Sequence, residues 1–228
     1  FHPTCVLAMK PREMDFVKVQ ALQRFECELR RVGYRLIAGL DEAGRGPLAG
    51  PVVAAAVIFP ENALILGIDD SKRLTSAKRE ALFPQITQCA LDVGIGEASA
   101  REIDELNILQ ATFLAMRRAL ASLNLTPDLV LIDGDRILPD CPLAQQALVR
   151  GDSRCFSIAA ASVIAKVHRD RIMRRFHEFF PQYHFDRHKG YGTREHLRAI
   201  HQFGYCKIHR RSFKIKESLD CIEERAGG

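Results

Sequence analysis

Gly39-Leu40-Asp41-Glu42-Ala43-Gly44-Arg45-Gly46-Pro47-Leu48-Ala49-Gly50-Pro51 is the stretch on which the fold turns. Upstream, residues 35–40 read as a β-strand that ends at Asp41. Downstream, residues 51–59 read as a second strand, apolar enough to be covered on both faces. The glycines and proline between them mark a tight connection. In a regular strand Asp41 and Glu42 would point to opposite faces. For both to serve one site the chain must turn at that pair, and Gly44 and Gly46 make such a turn feasible.

Working outward, residues 12–32 carry Met14, Val17, Leu22, Phe25, Leu29 and Val32 near one helical face, and the chain reads as an N-terminal helical extension over 1–33. Asp69-Asp70-Ser71-Lys72-Arg73 is a polar turn before a helix over 76–91, in which Pro84 should kink the chain and remove one backbone bond. A short strand over 93–98 precedes Ser99 and Glu102, which have capping-box spacing. A helix is expected over 108–123, then a buried strand over 128–132 that runs into Asp133-Gly134. A long helix, Ala-rich in its first half, spans 157–180; others follow over 193–203 and 214–224. Strands and helices interleave, which gives an α/β class with helices on both faces of the sheet.

The 228 residues are 47% hydrophobic and 27% charged, a globular composition that excludes a fibre or a low-complexity linker. The longest apolar run, 52–59, is far shorter than the ~18 residues of a membrane span, and no basic segment followed by an apolar one opens the chain. The 7 cysteines are scattered without a C-x-x-C pair, which suits a reduced, cytoplasmic setting. A monomer is the expected state. The net charge of +5 is small, but the back third concentrates it in Arg169, Arg171, Arg174, Arg175, Arg187, Lys189, Lys207, Arg210 and Arg211, a pattern suited to a polyanion.

Four acids stand where the local pattern does not call for charge: Asp41 and Glu42 after an apolar strand, Asp133 after the most hydrophobic strand, and Asp170 a turn beyond Lys166. Taken singly, Asp133-Gly134 reads as a turn and Asp170 as half of a surface ion pair. Taken together, Asp41 and Asp133 end strands of an α/β sheet, where ligands gather. Clustered carboxylates repel and raise one another's pKa values, and hard divalent ions such as Mg²⁺ or Mn²⁺ would relieve that. Two such ions form the clamp used for in-line phosphoryl displacement.

The motifs are more specific than the spacing. The opening stretch closely resembles that of bacterial ribonuclease HII. The likeness continues in order through Asp70-Ser71-Lys72-Arg73-Leu74, Glu102 to Leu109, Leu131-Ile132-Asp133-Gly134 and Gly151-Asp152-Ser153. It ends with Ala161 to Asp170, His188-Lys189-Gly190-Tyr191-Gly192-Thr193 and His209 to Phe213, so that it spans residues 34–218. The resemblance implies the ribonuclease H-like fold, a five-stranded mixed sheet with three antiparallel strands flanked by helices. Residues 34–228 would form the catalytic domain, with a C-terminal helical substrate-binding part over about 193–228. It also implies an endoribonuclease that cuts the RNA strand of RNA–DNA hybrids and nicks 5′ of a single ribonucleotide in duplex DNA, a task of ribonucleotide excision repair. Its four acids would be Asp41, Glu42, Asp133 and Asp170, holding Mg²⁺ or Mn²⁺.

The resemblance further implies that Gly44-Arg45-Gly46 contacts the 2′-OH, the group that distinguishes RNA from DNA, and that Tyr191 stacks on the sugar at the junction. Lys72, Lys166, Arg210 and Arg211 are expected phosphate contacts, and Ser162 a further backbone contact. Water activated by one ion would attack phosphorus in line and the 3′-oxygen would leave, giving 3′-hydroxyl and 5′-phosphate ends. Three alternatives remain: a metal-independent ribonuclease using histidines, a ribonuclease H-like nuclease acting on DNA alone, and a hybrid-binding module without activity. His184-x₃-His188 and Cys206-x₂-His209 look like halves of zinc sites, but neither makes a complete ligand set.

Overall fold

The expected strand pair around the opening stretch is present as β1 (Ile37–Ala43) and β2 (Val52–Ile58), joined antiparallel with Ala38 opposite Ile58. The computed structural model describes residues 11–215. β3 (Asp92–Ala98) pairs antiparallel with β2, while β4 (Leu129–Asp133) runs parallel to β1 and β5 (Gln145–Leu148) parallel to β4. The sheet order is β3-β2-β1-β4-β5, a mixed sheet of five strands as anticipated.

β2 shows why the sheet has two covered faces. All seven of its residues are buried. Val53, Ala55 and Val57 share one core with Ala159, Ala160, Val163 and Ile164 of α5 (Phe156–Phe179). Val52, Ala54 and Ala56 share another with Ala111, Ala115 and Met116 of α4 (Ile108–Ala121), as period-two alternation requires. Small residues let α5 lie close. A Cβ at Gly39 would come within 2.2 Å of the Ser157 backbone.

The other helices are α1 (Pro11–Arg31), α2 (Ser76–Cys89), α3 (Ala100–Leu106), α6 (Phe185–His188) and α7 (Arg194–Phe203). The capping box of Ser99 and Glu102 is present at the start of α3. Helix α2 continues as one helix through Pro84. The helix expected over 214–224 lies, from residue 216 on, outside the described residues.

Two expectations change. First, β1 does not end at Asp41. It continues through Glu42 and Ala43, with Asp41 paired to Ala55 and Glu42 to Ala54, so no turn separates the two acids. The long-range ladder with β2 supplies backbone partners that no local pattern announces. Second, α1 is built into the body. Its Val19 and Leu22 join the core under β2 and α5. The Glu26 carboxylate, 4% exposed, accepts the Ser157 N–H at 2.7 Å and lies 3.0 Å from Cys155 Sγ. Cys155 supplies no side-chain cap to α5, so α1 caps that helix from outside.

Candidate metal centre

The parallel register of β1 and β4 pairs Leu40 with Ile132, so the next residue on each strand is an aspartate at the carboxyl edge of the sheet. A 3₁₀ turn, Gly151–Ser153, leaves β5 and enters α5, bringing Asp152 to the same place. One oxygen from each of Asp41, Asp133 and Asp152 lies within 4.8 Å of the other two. The acids are held in place. Asp133 Oδ1 accepts the Gly151 N–H at 2.7 Å, and Asp41 Oδ1 accepts the Glu42 N–H at 2.6 Å. Ser162 hydrogen-bonds Asp41 from α5, and its Oγ sits 2.6 Å from that of Ser71.

Glu42 approaches from the opposite face of β1. It lines a cleft of about 300 Å³ with Asp133, Arg136, Thr112 and Met116, and Arg45 reaches it at 3.5 Å. Burial, with Glu42 and Asp133 beside it, pushes the Asp41 carboxyl well above the ordinary carboxylate range. Asp152 is raised by burial and then by Asp133 and Asp70, against the pull of Lys72, whose Nζ is 3.3 Å away. Glu42 is raised by burial, partly countered by Arg45. For Lys72 burial works against the charge, but Asp152, Asp41 and Asp70 raise its pKa in sum. An all-oxygen set this short of positive charge fits hard divalent ions such as Mg²⁺ or Mn²⁺. It is the one group of three or more candidate metal ligands among the described residues, and the histidine and cysteine spacings form none.

Asp170 is not in this group. Lys166 Nζ takes its carboxylate at 2.7 Å and Arg79 lies 3.8 Å from the other oxygen, so its charge is already balanced inside the protein. The acid that sequence reading missed is Asp152. It lies in Gly151-Asp152-Ser153, one of the strings that carry the resemblance, but a polar turn carries no local sign of burial. The available signal was its place between a strand and the start of the long helix.

The substrate-facing residues divide. Gly46 and Tyr191 are neighbours: a Cβ at Gly46 would lie 3.8 Å from the tyrosine ring, which is 45% exposed. Gly44 has φ +97° and is packed against the Arg169 side chain, so only glycine fits there. Lys166 Nζ lies 6.0 Å above the Tyr191 ring, and burial lowers its pKa. Arg45, Lys72 and Arg211 are exposed. Arg210 is not available to phosphate. It is 1% exposed and donates to the carbonyls of Gly44, Arg45 and Gly50 at 2.6, 2.9 and 2.9 Å. Ser162, 3% exposed, is likewise committed to Asp41 and Ser71 rather than to a backbone outside.

A family model described as Ribonuclease HII matches residues 38–216. A ribonuclease HII from Geobacillus thermodenitrificans is 56% identical over 201 residues, covering 88% of this chain and 77% of that protein. One from Syntrophotalea carbinolica is 57% identical over 196 residues, covering 86% and 93%. Among solved structures, the ribonuclease H2 of Pyrococcus horikoshii OT3 superposes with a TM-score of 0.65 at 28% identity, covering 83% of this chain and 98% of that one. The sheet order and flanking helices described above are thus those of a ribonuclease H-like fold.

Proposed function

The chain belongs to the ribonuclease HII family, metal-dependent endonucleases acting on the RNA strand of RNA–DNA hybrids, and we propose that it also nicks 5′ of a single ribonucleotide in duplex DNA. The reading rests on one juxtaposition. The three-aspartate cluster sits at the carboxyl edge of β1, and β1 leads directly into the Gly44-Arg45-Gly46 segment that meets Tyr191.

In this reading Asp41, Asp133 and Asp152 hold the metal, with Glu42 completing the set from the other face of β1. Asp152 takes the part that sequence alone gave to Asp170. When bound, two divalent ions supply the positive charge that activates water and stabilises the departing oxygen. The protein's own residues do the positioning. Gly44 and Gly46 let the backbone approach a 2′-OH, and Tyr191 offers an exposed ring to the neighbouring sugar. Lys72, Arg45 and Arg211 meet phosphates, and Lys166 Nζ lies over the tyrosine ring. Water adds to phosphorus as the bond to the 3′-oxygen breaks, leaving 3′-hydroxyl and 5′-phosphate ends. The all-oxygen donor set suits a hard divalent ion, Mg²⁺ or Mn²⁺.

The test is cleavage of an end-labelled DNA duplex carrying one ribonucleotide, with Mg²⁺, Mn²⁺ or EDTA, and with the product ends mapped. A metal-dependent nick on the 5′ side of the ribonucleotide, with 3′-hydroxyl and 5′-phosphate ends, is expected. Cleavage confined to long hybrids would withdraw the junction role of Tyr191. A 2′,3′-cyclic phosphate, or activity that survives EDTA, would overturn the metal chemistry.

A further inference from the structure

The turn that carries Tyr191 is flanked by glycines and its ring faces outward, so side-chain packing does little to fix it. Its backbone is held by the Leu48 N–H on the Gly190 carbonyl and the Thr193 N–H on the Tyr191 carbonyl, each at 2.8 Å, and from behind by three histidines. The Cys206 N–H lies 2.9 Å from His209 Nδ1; His209 Nε2 lies 3.0 Å from His196 Nε2; and His196 Nδ1 lies 2.9 Å from the Tyr191 carbonyl oxygen.

Backbone chemistry assigns every proton in this chain. An amide N–H only donates, so His209 Nδ1 accepts and a neutral His209 carries its proton on Nε2. That proton can go only to His196 Nε2, which must then accept. The proton of His196 is therefore on Nδ1, facing a carbonyl that only accepts. His188 obeys the same logic. It accepts the Gly190 N–H on Nδ1 at 3.2 Å, donates from Nε2 to the Tyr183 carbonyl at 2.7 Å, and stacks on His196 with ring centroids 4.5 Å apart. Protonating either member of the central pair would set two N–H groups against each other.

We infer that His196 and His209 are positioning residues for the Tyr191 turn, a relay of two neutral imidazoles that fixes the Tyr191 carbonyl and so the pose of its ring on the substrate. The inference rests on the proposed substrate contact of Tyr191. Burial is consistent with it: His196 is 0% and His209 3% exposed, and desolvation lowers both to a pKa of about 4. The titratable groups facing the pair are His188 from α6, Tyr183 from the turn before it, and Tyr205 and Cys206 from the segment after α7. The Cys206 thiol is itself raised by burial and stays protonated, adding a weak S–H donor 3.1 Å from His209 Nδ1.

The test uses the full chain with Mn²⁺. An asparagine amide can stand where Nδ1 stands, whereas phenylalanine keeps the ring and loses the donor. His196→Phe should therefore lower kcat/KM on a duplex with one ribonucleotide about tenfold, the effect of losing one buried hydrogen bond. The midpoint of a Mn²⁺ titration should be unchanged, and His196→Asn should recover most of the loss. Tyr191→Ala runs alongside. If it leaves that activity intact, the substrate role of Tyr191 fails and the inference with it. If Tyr191→Ala is impaired while His196→Phe matches the parent, the inference alone fails. A measurement on the unmutated protein stands apart from any folding defect: ¹⁵N correlation spectra at pH 5.5 should show both imidazoles neutral, His196 protonated on Nδ1 and His209 on Nε2. The opposite tautomer, or an imidazolium, at either residue would overturn the relay.

Discussion

Replacing Asp152 by Asn and, separately, Asp170 by Asn should move activity and stability in opposite directions, because the two acids sit in opposite electrostatic surroundings. Asp152 has carboxylate oxygens of Asp41 and Asp133 within 4.8 Å. At an effective dielectric of ~20, one such pair repels by about 3.5 kcal/mol. Lys72 offsets little of this, since its side chain is 77% exposed. Burial, with Glu42 and Asp133 beside it, raises the Asp41 pKa well above the ordinary carboxylate range, and any proton it takes up lessens the repulsion. A net gain of about 1–3 kcal/mol for Asp152→Asn in EDTA is what remains, or a Tm higher by several degrees at ~2–4 °C per kcal/mol. Divalent ions should reverse the order, because the parent gains a ligand set that the variant lacks. Asp170→Asn instead leaves Lys166 and Arg79, with side chains 23% and 12% exposed, without a counter-charge, and should cost about 2–4 kcal/mol. Thermal unfolding with EDTA and with Mn²⁺, beside cleavage of the single-ribonucleotide duplex, reads both effects. Asp152→Asn should lose at least ~10³-fold in rate, since it removes a proposed metal ligand, and Asp170→Asn should keep metal-dependent cleavage below its melting point. An inactive but folded Asp170→Asn beside an active Asp152→Asn would refute the geometric assignment and restore the one made from sequence.

Two further outcomes are expected. His196 and His209 titrate near pH 4 when folded and near 6.5 when unfolded. Between those values the unfolded chain binds the extra protons, so their contribution makes stability fall as pH drops from about 6.5 to about 4 and level off below. Denaturant unfolding across that range measures it, and a His209→Gln chain with the same pH slope would contradict it. Glu26→Ala removes the acceptor for the Ser157 N–H and should destabilise the protein by about 1–3 kcal/mol, while Glu26→Gln, which keeps an acceptor, should cost less. Equal losses in urea melts would show that the cap is not what α1 contributes there.

The elements were legible wherever the pattern was local. The buried run of β2, the capping box at Ser99 and the Ala-rich half of α5 each carry their own signal in residue type and spacing. What was not legible depended on partners distant in sequence. β1 seemed to end at Asp41 because its apolar pattern ends there, yet Ala54 and Ala55 extend the ladder past both acids. Asp170 stands out on an arginine-rich helix, whereas Asp152, the acid that lies with Asp41 and Asp133, sits in an ordinary-looking polar turn. Only the parallel β4–β5 pairing and the entry into α5 bring that turn to the strand ends. Arg210 was read as surface charge because its neighbours are basic. Its guanidinium in fact faces carbonyls some 160 residues earlier in the chain.

The burial of Arg210 bears on how the site is held. Arg169 and Arg210 are both buried, and among the described residues neither pairs with a carboxylate. Arg169 donates to the carbonyls of Pro51, Ala49 and Lys189. Arg210 donates to those of Gly44, Arg45 and Gly50. Between them they tie the proposed sugar-reading segment to the loop before Tyr191. Desolvation lowers Arg169 to about 10 and Arg210 to about 9, so both remain cations at neutral pH. A lysine could not do this work, because one ammonium cannot span three divergent carbonyls in a planar fork. Two permanent charges therefore lie beneath a surface proposed to receive a polyanion, where water screens them less than it would an exposed arginine. Segments rich in glycine would otherwise be free to move. The buried guanidinium groups fix their carbonyls, the Leu48 N–H holds that of Gly190, and the proposed histidine relay holds that of Tyr191. The geometry proposed to select a ribonucleotide is thus set by groups that never touch it.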